Sequence, residues 1–260
     1  MELNNLTQRL INPSNDIPTS IHLLITSDCN LNCHGCFYRD VSGTLAYDDV
    51  IDLINHAAKI GVEWIAIGGG EPLLWLWLDD IIKYAQSRGV HVAITTNGQL
   101  KKDITPYKVN ISHDTMHRSN LSETLDTLSW YVAQGVSIIS INSILHPDDG
   151  VTLRDIKTLL DIEDVDSVIV LPPKPIVYNE IQKIAALIKQ INSPKLYVDG
   201  CLTQILGHTC TQGRISFCID QAKRASICSN TISKIPYDGD VLSTWNKLRL
   251  HSWDKCKEVG

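Results

Sequence analysis

The sequence predicts an α/β fold organised on a parallel β-sheet, and three observations lead there. Between residues 21 and 191, apolar strand-like runs alternate with amphipathic helical patterns, the rhythm of repeated βα units. The runs are apolar at nearly every position instead of every second one, as in parallel sheets covered by crossover helices. A polar or glycine-rich signature follows each of the first four runs, which puts all four on the C-terminal rim where such sheets carry their chemistry.

Strands are expected at residues 21–26, 62–67, 90–95, 108–112, 136–141 and 167–171. Between them apolar residues recur at helical spacing: Val50, Leu53, Ile54 and Ala57; Leu78, Ile81, Ile82 and Ala85; Leu121, Leu125, Leu128 and Val132; Leu153, Ile156, Leu159 and Leu160. Ile181, Ile184, Ala185, Ile188 and Ile191 follow the sixth strand in the same manner. Each set lines one face of a helix. Asn120 stands three residues before Glu123, and Thr152 three before Asp155, so both are expected to start helices as N-caps. Six βα units are too few to close an eight-stranded barrel. An open partial barrel or a doubly wound sheet satisfies the pattern.

The rhythm stops in the last quarter. Residues 194–200 read as a further strand, and residues 214–220 and 225–228 flank a polar turn at 221–224 as the arms of a hairpin.

With 260 residues, 43 % of them apolar, the chain can bury a full core. A net charge of -6 gives no electrostatic footprint for nucleic acid. The N-terminus lacks the basic start and apolar core of a signal peptide, and no apolar run reaches the length of a membrane span. The expectation is a cytoplasmic protein with neither nucleic-acid nor membrane partners. Eight cysteines in a reducing compartment serve metals or catalysis sooner than disulfides. Cys29, Cys33 and Cys36 lie near the start, and Cys201, Cys210, Cys218, Cys228 and Cys256 in the last quarter, which suggests two sites.

The first group has C-x3-C-x2-C spacing directly after the first strand. A cubane iron-sulfur cluster has four irons, normally completed by four thiolates. Three local thiolates leave one iron open to a ligand that is not protein. A structural zinc with His34 nearby is the alternative, although such sites usually close with a second ligand pair of defined spacing. Gly68-Gly-Gly-Glu-Pro72 in isolation reads as a turn; beside the cysteines, on the same rim, it reads as part of a site.

Taken in order, the cysteine loop, the Gly-Gly-Glu-Pro segment, Thr96-Asn-Gly98 after the third strand and Ser112-His-Asp114 after the fourth resemble the radical S-adenosylmethionine (SAM) enzymes. The resemblance implies a partial (β/α)6 TIM barrel holding a 4Fe-4S cluster on Cys29, Cys33 and Cys36, its open iron chelated by the amino and carboxylate groups of SAM. It implies that Gly69, Gly70 and Glu71 hold the methionine ammonium through backbone carbonyls and a carboxylate. Ser112 and Asp114 would lie near the ribose hydroxyls or the sulfonium, with Asn142 a further candidate, and Arg118 would meet the SAM carboxylate. Family members usually carry an aromatic or large apolar residue just before the third cysteine, where this chain has Gly35; Phe37 is the adenine candidate instead. The implied chemistry is reductive cleavage of SAM to a 5′-deoxyadenosyl radical, which abstracts hydrogen from an unactivated carbon. A reductant such as flavodoxin or ferredoxin would supply the electron.

Cys210-Thr-Gln-Gly213, Ile219-Asp220 and Cys228 resemble the SPASM and twitch extensions of these enzymes, with Lys223 where the turn glycine is usual. That resemblance implies one auxiliary iron-sulfur cluster. Its expected ligands are Cys201, Cys210, Cys228 and Cys256. Cys218 is held in reserve, because the alternation of Ile215, Phe217 and Ile219 puts it on the opposite strand face. Zinc, or no metal, remains open for this group. The expected domains are an N-terminal extension at 1–19, the partial barrel at 20–193 and an auxiliary-cluster unit at 194–260.

Members with such extensions most often oxidise or crosslink ribosomally made peptides, so a peptide is the expected substrate. Oxidation or rearrangement of a small metabolite is the alternative. Roughly twenty residues before the first strand are too few for a leader-binding domain, so either a separate leader-peptide-binding protein supplies that function or the substrate is a small metabolite. A reading of a different class is a non-catalytic metal-binding or electron-transfer module, which would not turn SAM over.

Overall fold

The computed structural model describes residues 16–36, 38, 41–174, 177–205, 212–229, 231 and 233–250. Phe37, Cys210 and Cys256 lie outside the described residues. Among the described residues ten strands follow in chain order: β1 (Ser20–Thr26), β2 (Trp64–Gly69), β3 (His91–Thr96), β4 (Lys108–Ser112), β5 (Ile138–Ile144), β6 (Ser167–Leu171), β7 (Leu196–Val198), β8 (Ser216–Ile219), β9 (Arg224–Ser226) and β10 (Ile235–Pro236). The helices are α1 (Tyr47–Ile60), α2 (Leu78–Ser87), α3 (Leu121–Ala133), α4 (Gly150–Leu160), α5 (Tyr178–Ile188), α6 (Gly200–Ile205) and α7 (Val241–Leu250), with a 3-10 turn at Pro72–Leu74.

Three strands begin later than their apolar runs, for one shared reason. Val62, Val90 and Val136 each follow a glycine with positive φ, Gly61, Gly89 and Gly135. Their N–H groups return to the preceding helices, at Ala57 O (2.9 Å), Ala85 O (3.0 Å) and Tyr131 O (3.2 Å). This is the helix-ending motif in which the residue after the left-handed glycine satisfies an orphan carbonyl. The valines therefore belong to the caps of α1, α2 and α3.

Two helical expectations are corrected. The buried stripe of α3 is Thr124, Thr127, Leu128 and Tyr131, while Val132 is exposed. The threonines face inward because each has a buried partner: Thr124 Oγ1 meets His113 Nδ1 at 2.7 Å, and Thr127 Oγ1 donates to Gly98 O at 2.8 Å. The cap of α4 is Asp149 and not Thr152. Its carboxylate accepts from Thr152 N at 2.9 Å and from Thr152 Oγ1 at 2.7 Å, a stronger acceptor than a hydroxyl. Asn120 caps α3 as expected, accepting from Glu123 N at 3.0 Å.

All ten strands form one sheet ordered β10-β9-β8-β1-β2-β3-β4-β5-β6-β7. Every neighbour pair from β8 through β7 is parallel, and β8-β9 and β9-β10 are antiparallel. From β1 to β7 the order never reverses, so right-handed crossovers place their helices on a single face. A doubly wound sheet, which needs a reversal, is thereby excluded. The helix-covered face carries Ile21, Leu23, Ile65, Ile94, Ile111, Ile141 and Val168, all in the buried core. The other face is small and polar: His22 pairs in register with Ala66, Thr95 with Asn110, Asn110 with Ser140, and Ser140 with Ser167.

The last quarter joins the same sheet. β8 lies parallel to β1 with His22 opposite Cys218, and Phe217, Ile219, Ala225 and Trp245 of α7 share the common core. The expected strand at 194–200 contracts to β7, because Asp199 starts α6: its carboxylate accepts from Cys201 N at 3.0 Å and its carbonyl from Thr203 N at 2.9 Å. The hairpin turn adopts the geometry a glycine would favour with Lys223 in place, at φ 56°.

Candidate active site

The cysteine loop leaves β1 and is pinned at both ends. Ser27 N donates to Gly43 O (2.9 Å), Gly43 N to Ser27 Oγ (3.1 Å) and Leu45 N to Ile25 O (2.9 Å). From the C-terminal hairpin, Gln221 Nε2 donates to Val41 O at 2.6 Å. The glycine segment after β2 lies directly against the loop's start: Gly70 N donates to Thr26 O and Glu71 N to Asp28 O, each at 2.7 Å. Only glycine permits this approach. A Cβ at Gly69, which has φ +124°, would sit 2.5 Å from Thr26 O, and one at Gly70 would sit 2.2 Å from Asp28 O.

Glu71 is fully buried, and its carboxylate holds the rim together. Oε1 accepts from Leu73 N (3.1 Å) and Thr96 Oγ1 (2.9 Å), and Oε2 from Asn97 N (2.8 Å). Burial pushes its pKa up and the three hydrogen bonds only partly offset it. Asn97 carries the link onward, donating from Nδ2 to Asn30 Oδ1 at 2.8 Å and lying 3.9 Å from Cys29 Sγ. Thr96 and Asn97 thus tie the ends of β2 and β3 to the cysteine loop. Sequence reasoning quoted their Thr-Asn-Gly motif without giving either residue a role.

Cys29 is exposed, Cys36 half-buried and Cys33 buried. Burial pushes the Cys33 thiol up, as do Cys36, Cys29 and Asp114, while Arg118 opposes them. Both thiols, Asp114 and Arg118 therefore lie within electrostatic reach of Cys33. Among the described residues, no three His, Cys, Asp or Glu side chains already converge as a metal-ligating set.

Across the rim, Ser112 ends β4 and pairs in register with Asn142 of β5. Asp114 is buried, its oxygens 2.8 and 3.0 Å from His117 Nδ1, and it accepts from His117 N (2.9 Å) and Ile144 N (3.0 Å). Arg118 sits at φ 55°. The Asn142 Oδ1 is buried without a hydrogen-bond partner among the described residues. A cavity of about 280 Å3, lined in part by Glu63, Arg88 and His91, lies at the opposite, N-terminal ends of β2 and β3.

Residues 23–161 match the radical SAM superfamily. The chain belongs to that superfamily. Family membership implies a 4Fe-4S cluster and SAM, and the rim suits both: three thiols on one loop, and glycines that bring backbone against that loop. This radical SAM chain is 33 % identical to the GTP 3′,8-cyclase of Corynebacterium glutamicum over 174 residues, 56 % of this chain and 46 % of the cyclase. It is also 33 % identical to an S-adenosylmethionine-dependent nucleotide dehydratase of Flammeovirga pacifica over 36 % of each chain. The chain thus spans about half or less of these curated relatives. Among solved structures, Streptococcus suis SuiB bound to S-adenosylmethionine superposes with TM-score 0.71 over 95 % of this chain and 71 % of that one, at 17 % identity. The structure of anSMEcpe with bound AdoMet gives 0.62 over 90 % and 80 %, at 13 % identity. At such identities the likeness speaks to the fold.

Three C-terminal cysteines of the radical SAM chain, Cys201, Cys218 and Cys228, lie among the described residues. Cys218 is buried on β8, where burial and then the Cys228 thiol push its pKa up. Tyr38, at the end of the first cysteine loop, lies within electrostatic reach of both and 3.4 Å from Ser229 Oγ. Cys201 stands with Lys174, whose Nζ donates to its Sγ at 3.1 Å, and burial raises its pKa to about 12. Among the described cysteines, Cys228 thus interacts with Cys218, the residue held in reserve. No helix among the described residues is long and apolar enough to cross a membrane.

Proposed function

We propose that this radical SAM protein cleaves SAM reductively and abstracts hydrogen from a peptide substrate. The observation that carries the reading is the packing of Gly69 and Gly70 against Thr26 and Asp28, which joins the cysteine loop and the glycine segment into one rigid wall. On that wall Cys29, Cys33 and Cys36 hold the cluster, and the backbone of Gly69 to Glu71 holds the methionine ammonium. Since the Glu71 carboxylate already accepts three hydrogen bonds, its role toward SAM is to fix that backbone. Ser112, Asp114 and Asn142 would face the nucleoside half of SAM and Arg118 its carboxylate; Phe37, the adenine candidate, lies outside the described residues. When bound, the cluster and SAM supply one-electron sulfonium cleavage and hydrogen abstraction. The chain orients the carbon to be attacked and keeps water from the radical.

The small, polar sheet face, curled as a partial (β/α)6 barrel, would form the substrate chamber. An auxiliary iron-sulfur cluster on the 194–260 unit would draw on Cys218 and Cys228 together with Cys201, Cys210 or Cys256. The peptide reading is supported by fold likeness to SuiB over 94 % of this chain and 69 % of that one, and SuiB has a structure bound to the precursor peptide SuiA. It implies a separate leader-binding protein and a flavodoxin or ferredoxin as reductant, all in the cytoplasm. The second reading, a small nucleotide metabolite, is favoured by the relatives named GTP 3′,8-cyclase.

Substrate-dependent 5′-deoxyadenosine release tests the choice. The reduced enzyme is incubated with SAM and either GTP or a precursor peptide encoded beside its gene, each deuterated. Deuterium from the peptide appearing in 5′-deoxyadenosine supports the proposal. Deuterium arriving from GTP alone replaces it with the metabolite reading.

A further inference from the structure

Lys108 places an ammonium on the sheet face opposite the helices. It opens β4 and pairs in register with Ala93 of β3 and Ile138 of β5, and alternation turns it away from the face of the core residues Val109 and Ile111. The residue is half-buried. Burial pushes its pKa down, and the Asp166 charge offsets this only in part. Among the described residues Lys108 Nζ makes no hydrogen bond or ion pair, and the Asp166 carboxylate accepts from Ile139 N at 2.7 Å. Nor is that nitrogen one of the sealed, unpartnered atoms of the interior, so it opens onto accessible space. Other polar side chains of this face already have partners: Asn110 Nδ2 donates to Ile94 O at 3.2 Å, and Ser167 Oγ to Ser140 Oγ at 2.7 Å.

Room for a ligand exists because the neighbours are small. Across β3 and β2 the row from Lys108 continues in register through Ala93 and Ala66, and the next position of that face toward the rim is Gly68, where a Cβ would meet nothing within 4 Å. At the N-terminal end Trp64, His91 and Tyr107 pack ring on ring, their centroids 4.2 to 5.4 Å apart. A path of small residues thus leads from the glycine rim down to an ammonium. A cation drawn partly out of water without an anion is destabilised, and a bound oxyanion offsets that with a charge-assisted hydrogen bond. We infer that Lys108 anchors an oxyanion of the substrate, carboxylate or phosphate, at the N-terminal end of the chamber while the carbon to be attacked lies at the rim. The inference rests on the radical SAM reading above and sets the length of the substrate. Lys108 and Ser112 are separated by about 13 Å of strand, a span of about four extended residues, which a peptide segment or a nucleotide polyphosphate covers and a free amino acid does not.

The test titrates isotope-labelled, cluster-loaded protein anaerobically with sodium phosphate and, separately, sodium acetate at constant ionic strength, following the amide resonances of Ala66, Ala93 and Lys108. Saturable shifts with a midpoint below about 10 mM are expected for at least one anion. Phosphate alone supports the anchor and identifies a phosphorylated substrate; acetate, with or without phosphate, supports it and identifies a carboxylate. Lys108→Met is expected to weaken the binding about tenfold or more, the loss of one charge-assisted hydrogen bond. Lys108→Gln carries the same comparison should Lys108→Met not fold, and the remaining amide resonances report folding. The inference is overturned by a parent that shows no saturable shift with either anion, or by a folded variant that loses less than about fivefold. Reduced parent that forms no 5′-deoxyadenosine from SAM would instead sink the radical SAM reading, whatever the anions do.

Discussion

The α-carbon of Gly70 approaches the carbonyl of Asp28 so closely that a methyl group there would lie 2.2 Å from the oxygen. The obstacle is backbone, which cannot rotate away. Gly70→Ala is therefore expected to push the glycine segment off the cysteine loop and break the Gly70 N to Thr26 O and Glu71 N to Asp28 O bonds. Iron content after reconstitution should fall to less than about half, and thermal unfolding should shift by several degrees, about 2–3 kcal/mol of stability. An Ala variant with full iron content would contradict the account of this wall.

Glu71→Gln separates charge from shape. Three donors converge on the carboxylate, and one half of an amide must then present N–H groups to another donor. With Oε1 kept for Leu73 and Thr96, the amide nitrogen confronts the Asn97 N–H. Leaving such a buried group unsatisfied costs about 1–3 kcal/mol. Urea unfolding measures the loss, and hydrogen exchange should locate it at Leu73 and Asn97.

The Asp220 carboxylate lies at the base of the hairpin turn, 2.8 Å from Lys234 Nζ and 2.8 Å from Arg224 Nη2. Burial raises its pKa, but the hydrogen bonds from Lys234 and Arg224 outweigh burial and hold it below the usual carboxylate range. A depressed folded pKa gives stability that is present above the unfolded value, about 4, and is lost as pH falls toward the folded one. Asp220→Asn should cost about 2–3 kcal/mol at neutral pH. The difference from the parent should stay constant down to about pH 4 and shrink below it, read from urea midpoints across that range.

The two cysteine groups should be separable. Ala at Cys29, Cys33 or Cys36 is expected to abolish SAM cleavage, since each removes one of three thiolates that hold the cluster. Ala at Cys228 should remove only an auxiliary signal in electron paramagnetic resonance, and Cys218→Ala should do the same, because Cys218 and Cys228 interact. Retention of the auxiliary signal in Cys218→Ala would return that residue to a packing role.

Hydrophobic periodicity made the βα order legible, because α1, α2 and α5 bury the stripes that the spacing marks out. It failed where polar residues were inside. Thr124 and Thr127 turn the buried face of α3 away from Val132 because His113 and Gly98 supply partners, and no apolar pattern encodes that. The glycines that end α1, α2 and α3 were visible in the sequence, but the return of the following valine to the helix was not. At the rim, the motifs marked Gly69, Gly70, Glu71, Ser112 and Asp114 as neighbours. They did not reveal that Glu71 and Asp114 are interior braces, since a buried carboxylate and a ligand-facing one look alike in one dimension. Thr96 and Asn97 stood in a quoted motif, but their roles depend on contacts with Glu71 and Asn30 from other segments of the chain, which one dimension does not show.

The most direct test of the central claim is anaerobic reconstitution followed by reduction in the presence of SAM, with iron and 5′-deoxyadenosine measured on the same sample. The account predicts about eight irons per chain, for two four-iron clusters, and 5′-deoxyadenosine that disappears in Cys33→Ala. Stoichiometric zinc with no SAM cleavage would contradict it and leave a non-catalytic metal-binding protein on the same fold.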